Sequence, residues 1–239
     1  MDERSQPSDD ECMTLTGHLT ELRSRIIRAA AALALGTLAC SFFSEPIFRF
    51  VTASAGELYF SRPMDAFFVY LKMLLCAGAL ISSPCLFYQL WAFLIPAFLQ
   101  KDRRRLTFFA MLSVALFLGG CGLAFFFVLP KGLQFFLSFG GPSFKPLLTM
   151  EGYLDFAAAL ILPFGAVLNL PLVLILLARM NLVTSSFLRK KRKIVIFMAF
   201  VAAAVFTATT DIFTQCLLAL PAIALYELSI VVISCVLKR

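Results

Sequence analysis

Charged residues are scarce in this sequence. Only 15% of its 239 residues are Asp, Glu, Lys or Arg, whereas 61% are hydrophobic and the mean hydropathy is +0.90. A soluble domain is about 25% charged and about 45–50% apolar. The excess of apolar side chains therefore excludes an ordinary soluble fold and predicts a protein whose surface largely faces lipid.

Several chemical signatures are missing as well. The sequence has a single histidine, His18, and contains neither H-E-x-x-H nor G-x-x-x-x-G-K-[ST], so it offers no zinc-protease motif and no phosphate-binding loop. Its seven cysteines show no C-x-x-C spacing and mostly lie inside apolar runs, which argues against a disulfide framework or a metal site. We therefore expect no catalytic residues, no metal and no cofactor.

Long apolar runs dominate what is present. They lie near 26–43, 67–95, 106–129, 153–178, 194–208 and 212–236. These runs predict an all-α polytopic membrane protein with six transmembrane helices, the fifth and sixth short. The membrane domain would cover 14–239, behind a flexible acidic tail at 1–13. The fifth run would reach only about 22 Å against a hydrocarbon core of about 30 Å, so the bilayer must thin or the helix must extend through 207–210.

The basic residues fix the orientation of these runs. On the side of the termini lie Arg4, Arg23, Arg25, Arg28, Lys101, Arg103, Arg104, Arg105, Arg179, Arg189, Lys190, Lys191, Arg192, Lys193, Lys238 and Arg239. The opposite side has only Arg49, Arg62, Lys131 and Lys145. By the positive-inside rule both termini are cytoplasmic. The net charge of +7 is then a topology signal, and the run 189–193 an anchor facing anionic headgroups rather than a nucleic-acid site.

A cleaved signal peptide is the alternative for the first run, because Arg23, Arg25 and Arg28 precede it. Five further apolar runs favour a permanent span. The residues before it, 14–25, have Leu15, Leu19, Leu22 and Ile26 at helical spacing, which predicts an amphipathic helix on the cytoplasmic interface. On that helix Glu21 and Arg25 are four residues apart and are expected to form an ion pair.

Three ionisable residues, Lys72, Asp155 and Glu227, fall inside the runs and are predicted to be buried polar groups. Lys72 could snorkel to the interface or pair with Asp65 or Asp155. Glu227 lies more than one turn from either end of the last run, so it must be neutral, paired or facing a polar cavity.

Seven widely spaced motifs, in order, resemble the TatC family, the receptor subunits of the twin-arginine protein translocase. They are H-L-T-E-L-R-S-R at 18–25, P-M-D-A-F-F at 63–68 with Lys72, Q-L-W-A-F at 89–93 between Pro84 and Pro96, K-D-R-R at 101–104, the fourth-run motif at 165–171, L-R-K-K-R at 188–192, and D-I-F-T-Q at 211–215 with Pro221 and Tyr226-Glu227. The resemblance runs from about residue 15 to the C-terminus.

The resemblance implies that the cytoplasmic face binds signal peptides carrying two adjacent Arg residues. The implied binding residues are Glu21, Arg23, Asp102, Arg103 and Asn169. A carboxylate can hold a guanidinium bidentately in a way that Lys does not match. Two positions depart from the family pattern: Asp102 is one methylene shorter than the usual Glu, and Asn169 replaces a common Glu with a neutral amide.

The resemblance also implies partners. Single-span TatB-like and TatA-like subunits would dock near Thr207, Asp211 and Gln215, in a hetero-oligomeric complex of the bacterial inner membrane that draws on the proton gradient. An ion-coupled small-molecule transporter remains the alternative function. It predicts a charged pathway at mid-membrane, whereas the informative charges here gather at the cytoplasmic surface.

Overall fold

The computed structural model describes residues 15–53, 55–94, 103–138, 147–179, 182–207 and 211–237. These residues form nine α-helices and one π-turn, and include no β-strand beyond an isolated bridge between Tyr59 and Thr149. The helices are α1 (Leu15–Ser41), α2 (Ser44–Thr52), α3 (Pro63–Leu94), α4 (Arg103–Leu123), α5 (Leu129–Ser138), α6 (Met150–Val167), α7 (Leu170–Arg179), α8 (Ser185–Thr207) and α9 (Ile212–Leu237), with the π-turn at Ala124–Val128. The all-α prediction is confirmed, and the predicted tail at 1–13 lies outside the described residues.

Within this part of the chain, five helical segments are long and apolar enough to cross a membrane. They are Leu19–Ser41, Pro63–Leu94, Thr107–Ser138, Met150–Arg179 and Ile212–Cys235. Helix α8, which contains the predicted fifth span, is not among them, because five basic residues occupy its N-terminal part. The sixth predicted span is not short: α9 has 26 residues, or about 39 Å.

The boundaries of α1 and α8 differ from the sequence prediction. The amphipathic helix expected at 14–25 is not separate, since it continues without a break into the first span as α1. No Pro or Gly interrupts 18–35, so nothing in the sequence ends the helix there. Helix α8 extends at its basic end to Ser185 and has 23 residues. Of the extension expected through 207–210, residues 208–210 lie outside the described residues.

Prolines inside α3 and beside the π-turn do not end their helices. Pro84 has no N–H for the carbonyl of Leu80, and the hydroxyl of Ser83 donates to that carbonyl at 2.7 Å instead. The third predicted span ends at 129, but the helix continues through Pro130 to Ser138. The π-turn just before it shifts the hydrogen-bond register by one residue, which is a common way for a helix to absorb such a break.

Close glycine contacts hold the apolar helices together. A side chain on Gly78 of α3 would lie 2.8 Å from the backbone of Thr37 in α1, and one on Gly36 would lie 2.9 Å from the carbonyl of Gly78. In the same way, a Cβ added to Gly120 of α4 would lie 2.8 Å from the Cα of Gly165 in α6. Small residues that let backbones approach are typical of helix packing in membranes, where burial against lipid supplies little driving force.

The loops at one end of the bundle are joined to each other. The amide of Tyr59 donates to the carbonyl of Leu148, and the amide of Met150 donates to the carbonyl of Tyr59. Behind them the hydroxyl of Tyr153 donates to the carbonyl of Val51 at 2.7 Å. These bonds fix the start of α6 against α2 and the loop before α3, and thereby set the height at which α3 and α6 enter the bundle.

Candidate functional site

The carboxylate of Glu21 is held at the junction of α1 and α3. Arg25, one turn further along α1, donates from Nη2 at 2.5 Å and from Nε at 3.0 Å, and both bonds go to Oε1 of Glu21. The guanidinium also donates from Nη1 to Oε1 of Gln89, near the end of α3, at 3.4 Å. The predicted ion pair is therefore confirmed, and it is tied to a second helix. The Glu21 side chain stays 25% exposed, so the carboxylate is fixed in position yet accessible.

The other predicted peptide-binding residues are placed differently. Arg23 lies on the same helix as Glu21, with its side chain exposed. Arg103 is the first residue of α4, but its side chain, like all of Asp102, lies outside the described residues. Whether Glu21 and Asp102 form one acidic site thus stays a prediction.

The side chain of Asn169, another predicted peptide-binding residue, is buried. It is 6% exposed and lies in the short turn between α6 and α7, where its Nδ2 donates to the carbonyl of Gly165 at 3.2 Å. Its own amide N–H donates to Ala166, so the side chain replaces the backbone as donor to Gly165. Its Oδ1 is buried with no hydrogen-bond partner among the described residues. A buried carbonyl oxygen without a hydrogen bond costs stability, so Asn169 destabilises the turn between the two apolar helices.

The residues predicted to bind partner subunits lie at the turn between α8 and α9. Asp211 caps α9, accepting bonds from the amide of Thr214 at 2.8 Å and from its hydroxyl at 2.5 Å. Thr207 is buried and donates to Ala203 within α8. The side-chain amide of Gln215 donates to the carbonyl of Phe200 at 2.7 Å. All three side chains make bonds that shape the hairpin itself.

The three residues predicted to be buried polar groups are only partly covered by the protein, each in an ion pair. Lys72 of α3 bonds to Asp155 of α6, with side chains 41% and 51% exposed. Glu227 of α9 pairs with Arg192 of α8 at 2.6 Å, with exposures of 37% and 46%. Each pair lies on a helix face that the bundle leaves partly uncovered, so burial of these groups in the membrane stays a prediction. Pairing, one of the options left open for Lys72 and Glu227, is what the structure shows.

Sequence reasoning missed Gln89 as part of the Glu21 site. It occurs in a recognised motif, but the contact with Arg25 joins residues 64 positions apart in the chain. A spacing rule within one helix finds Glu21 and Arg25 and cannot find this third member.

Five membrane-length apolar helices, with an ion pair between the second and the fourth, define a polytopic α-helical membrane protein with an accessible acidic group at one end of its first span. The sequence profile of the family described as Sec-independent protein translocase protein (TatC) matches residues 17–221. The chain therefore belongs to the TatC family of Sec-independent protein translocases.

Individual relatives agree with this assignment. The chain is 38% identical to the TatC protein of Desulforapulum autotrophicum, covering 93% of this chain and 85% of that protein. It is 33% identical to the TatC protein of Aquifex aeolicus, covering 91% and 93%. A crystal structure titled as the twin arginine translocase receptor TatC superposes with a TM-score of 0.84 at 32% identity, covering 93% of this chain and all of that one.

Proposed function

We propose that this chain is the receptor subunit of a twin-arginine translocase in a bacterial inner membrane, with six spans and both termini in the cytoplasm. It binds the paired arginines of a signal peptide at the end of the bundle that carries Glu21. The observation that carries the proposal is the Glu21 carboxylate, held by Arg25 and Gln89 yet 25% exposed. Family membership supports the translocase over the small-molecule transporter.

The chemistry of the site favours arginine over lysine. Both bonds from Arg25 go to Oε1 of Glu21, so we assign Oε2 to an incoming guanidinium. A guanidinium presents a rigid fork of N–H donors and stays charged, whereas an ammonium is a single, strongly hydrated charge. A charged hydrogen bond contributes about 1.5–3 kcal/mol, so losing it would weaken peptide binding by about tenfold or more.

Photocrosslinking tests the receptor role without disturbing Glu21. A photoreactive residue at Ser24, which is partly exposed and lies three residues after Glu21 on the same face of α1, is irradiated with signal peptides carrying Arg-Arg or Lys-Lys. We expect crosslinks with the Arg-Arg peptide that fall about tenfold or more with the Lys-Lys peptide. Equal labelling by both peptides would refute the proposal.

A matched pair of substitutions distinguishes the loss of the Glu21 site from the loss of any one carboxylate. Glu45 and Arg49 of α2 form the same kind of i,i+4 pair as Glu21 and Arg25, with Nε to Oε1 at 3.1 Å, but on an exposed helix elsewhere in the fold. We expect Glu21→Gln to remove the Arg-Arg crosslink and Glu45→Gln to leave it. Thermal unfolding of both variants in detergent checks that each is folded.

We also propose that the hairpin of α8 and α9 docks the single-span TatB-like and TatA-like partner subunits. Helix α8 supports this, because it carries large exposed apolar residues such as Phe197 and Val205, at 63% and 71% exposure. A photoreactive residue at Val205 should label a single-span partner in membranes, and one at Leu75 on α3, also exposed, should not. Equal labelling from both positions would contradict a specific docking site.

A further inference from the structure

A partly open cavity of about 380 Å³ lies between α2, α3, α4, the π-turn and α6. Its walls include Ile47 and Phe50 from α2, Cys76 from α3, Phe126 from the π-turn and Ala158 from α6. Of the described residues that line it, Lys72 is charged and the others are apolar. An apolar space of this kind does not hold water well and suits a hydrocarbon chain.

An ion pair stands at the rim of this cavity. Lys72 is bonded to Asp155, yet the two side chains remain 41% and 51% exposed. Both groups therefore have surface left to meet a further charged group. Other helices do not enclose the side chain of Lys72 or of Asp155. The free energy of this ion pair therefore depends on the lipid and water around it.

The depth of the pair in the bilayer follows from helix lengths. Helix α3 has 32 residues, or about 48 Å, which exceeds a hydrocarbon core of about 30 Å by about 9 Å at each end. Lys72 lies nine residues after Pro63, hence about 5 Å inside the core. Asp155 lies five residues after Met150, in the 30-residue segment that ends at Arg179. By the same reasoning, it falls close to the boundary of the hydrocarbon core. The pair is thus within reach of lipid headgroups on the side where α3 and α6 begin.

The charges at the rim select among headgroups. An anionic headgroup would gain attraction from Lys72 but suffer repulsion from Asp155. A headgroup with a phosphate and a primary ammonium adds two attractions, and it keeps the attraction between Lys72 and Asp155. We propose that the cavity binds one acyl chain of a phospholipid with an ethanolamine headgroup, whose phosphate pairs with Lys72 and whose ammonium pairs with Asp155. This inference is independent of signal-peptide binding.

Native mass spectrometry of the full chain in detergent tests the site. The protein is mixed with equal amounts of dioleoyl phosphatidylethanolamine and dioleoyl phosphatidylglycerol, and the retained lipid is identified. We expect the ethanolamine lipid to be retained over the glycerol lipid by about threefold or more, since each exposed ion pair changes binding only modestly. Equal retention of the two lipids by the unmodified chain would overturn the proposal.

Two variants locate the binding. Ala158→Phe places a ring in the cavity and should lower retention of the ethanolamine lipid by about threefold or more relative to Ala202→Phe, which adds the same ring on the exposed face of α8. Lys72→Met with Asp155→Leu removes both charges together, leaving no unpaired ion, and should abolish the preference between the lipids. A preference that survives this double substitution would refute the headgroup assignment even if Ala158→Phe failed to fold.

Discussion

The Nη2 atom of Arg192 lies 2.6 Å from Oε2 of Glu227 and joins the basic run of α8 to the middle of α9. Close by, the hydroxyl of Tyr226 donates to the carbonyl of Leu188 at 2.8 Å. The basic residues at 189–193 therefore belong to a helix packed against another helix, instead of a free cytoplasmic loop. One of them neutralises the carboxylate that α9 carries inside its apolar stretch.

We expect Glu227→Ala to destabilise the protein by about 0.2–1 kcal/mol, because the pair is roughly half exposed and such pairs contribute little. The charge-reversed double variant, Arg192→Glu with Glu227→Arg, should recover part of that loss. Thermal unfolding in detergent measures both. Arg189→Ala is the control, since Arg189 meets Ser234 only at 3.5 Å and should cost less. If Arg189→Ala destabilised the protein as much, the Arg192–Glu227 ion pair would contribute no more to stability than the contact between Arg189 and Ser234.

Gly78 is the tightest point between α1 and α3. Gly78→Ala puts a methyl group 2.8 Å from the Thr37 backbone, so we expect destabilisation of about 1–3 kcal/mol as the helices separate. Gly119→Ala in α4 meets no atom within 4 Å and should be neutral or slightly stabilising, because Ala favours the helix over Gly. Unfolding by increasing SDS would compare the two variants. Equal stability of both would contradict the close crossing.

Ser83 matters because it supplies the donor that Pro84 lacks. Ser83→Ala leaves the carbonyl of Leu80 without a partner in an apolar helix, and we expect a loss of about 0.6–2 kcal/mol. Ser138 makes the same i−3 bond, to Phe135 at 2.6 Å, but is exposed at the end of α5. Ser138→Ala should therefore change stability by less than about 0.5 kcal/mol. Denaturant titration of the two variants side by side measures the difference.

Trp91 offers a direct optical check of the packing between α3 and α4, because it is the only tryptophan in the chain. It is 1% exposed, its Nε1 donates to Oγ of Ser113 at 2.6 Å, and its ring lies 5.6 Å from that of Phe109. We expect blue-shifted emission that acrylamide hardly quenches. Ser113→Ala should shift the emission further, since the indole loses its hydrogen-bond partner. Emission typical of water-exposed tryptophan would contradict this packing.

The fold was largely predictable because apolar runs of membrane length leave few alternatives. The runs ending near 95, 178 and 236 correspond to α3, to α6 with α7, and to α9, within a few residues at most ends. The errors arose at the polar ends. The sequence predicted a separate helix at 14–25 and a third span ending at 129. In the structure an unbroken helix keeps the backbone bonds of α1 satisfied, and a π-turn lets the third span continue past Pro130.

The candidate site was predictable only within single helices. Glu21 and Arg25 follow from i,i+4 spacing, whereas Gln89 joins them through the packing of α1 on α3. The pairing of Lys72 with Asp155 was one of several options, and the partner of Glu227 was not foreseen at all. Contacts between distant positions depend on helix crossing points, and these are set by close approaches such as that of Gly36 and Gly78.

The sequence by itself determined that this is a helical membrane protein. Long apolar runs with few charges are stable only in lipid, and there a helix satisfies every backbone hydrogen bond. Its motifs also determined the TatC family. Tertiary structure alone decided which polar groups meet: Arg25 with Gln89, Lys72 with Asp155, and Arg192 with Glu227. The physical reason is that the cost of an ion in hydrocarbon demands a partner without specifying one, and the packing of the helices selects which residue lies within reach.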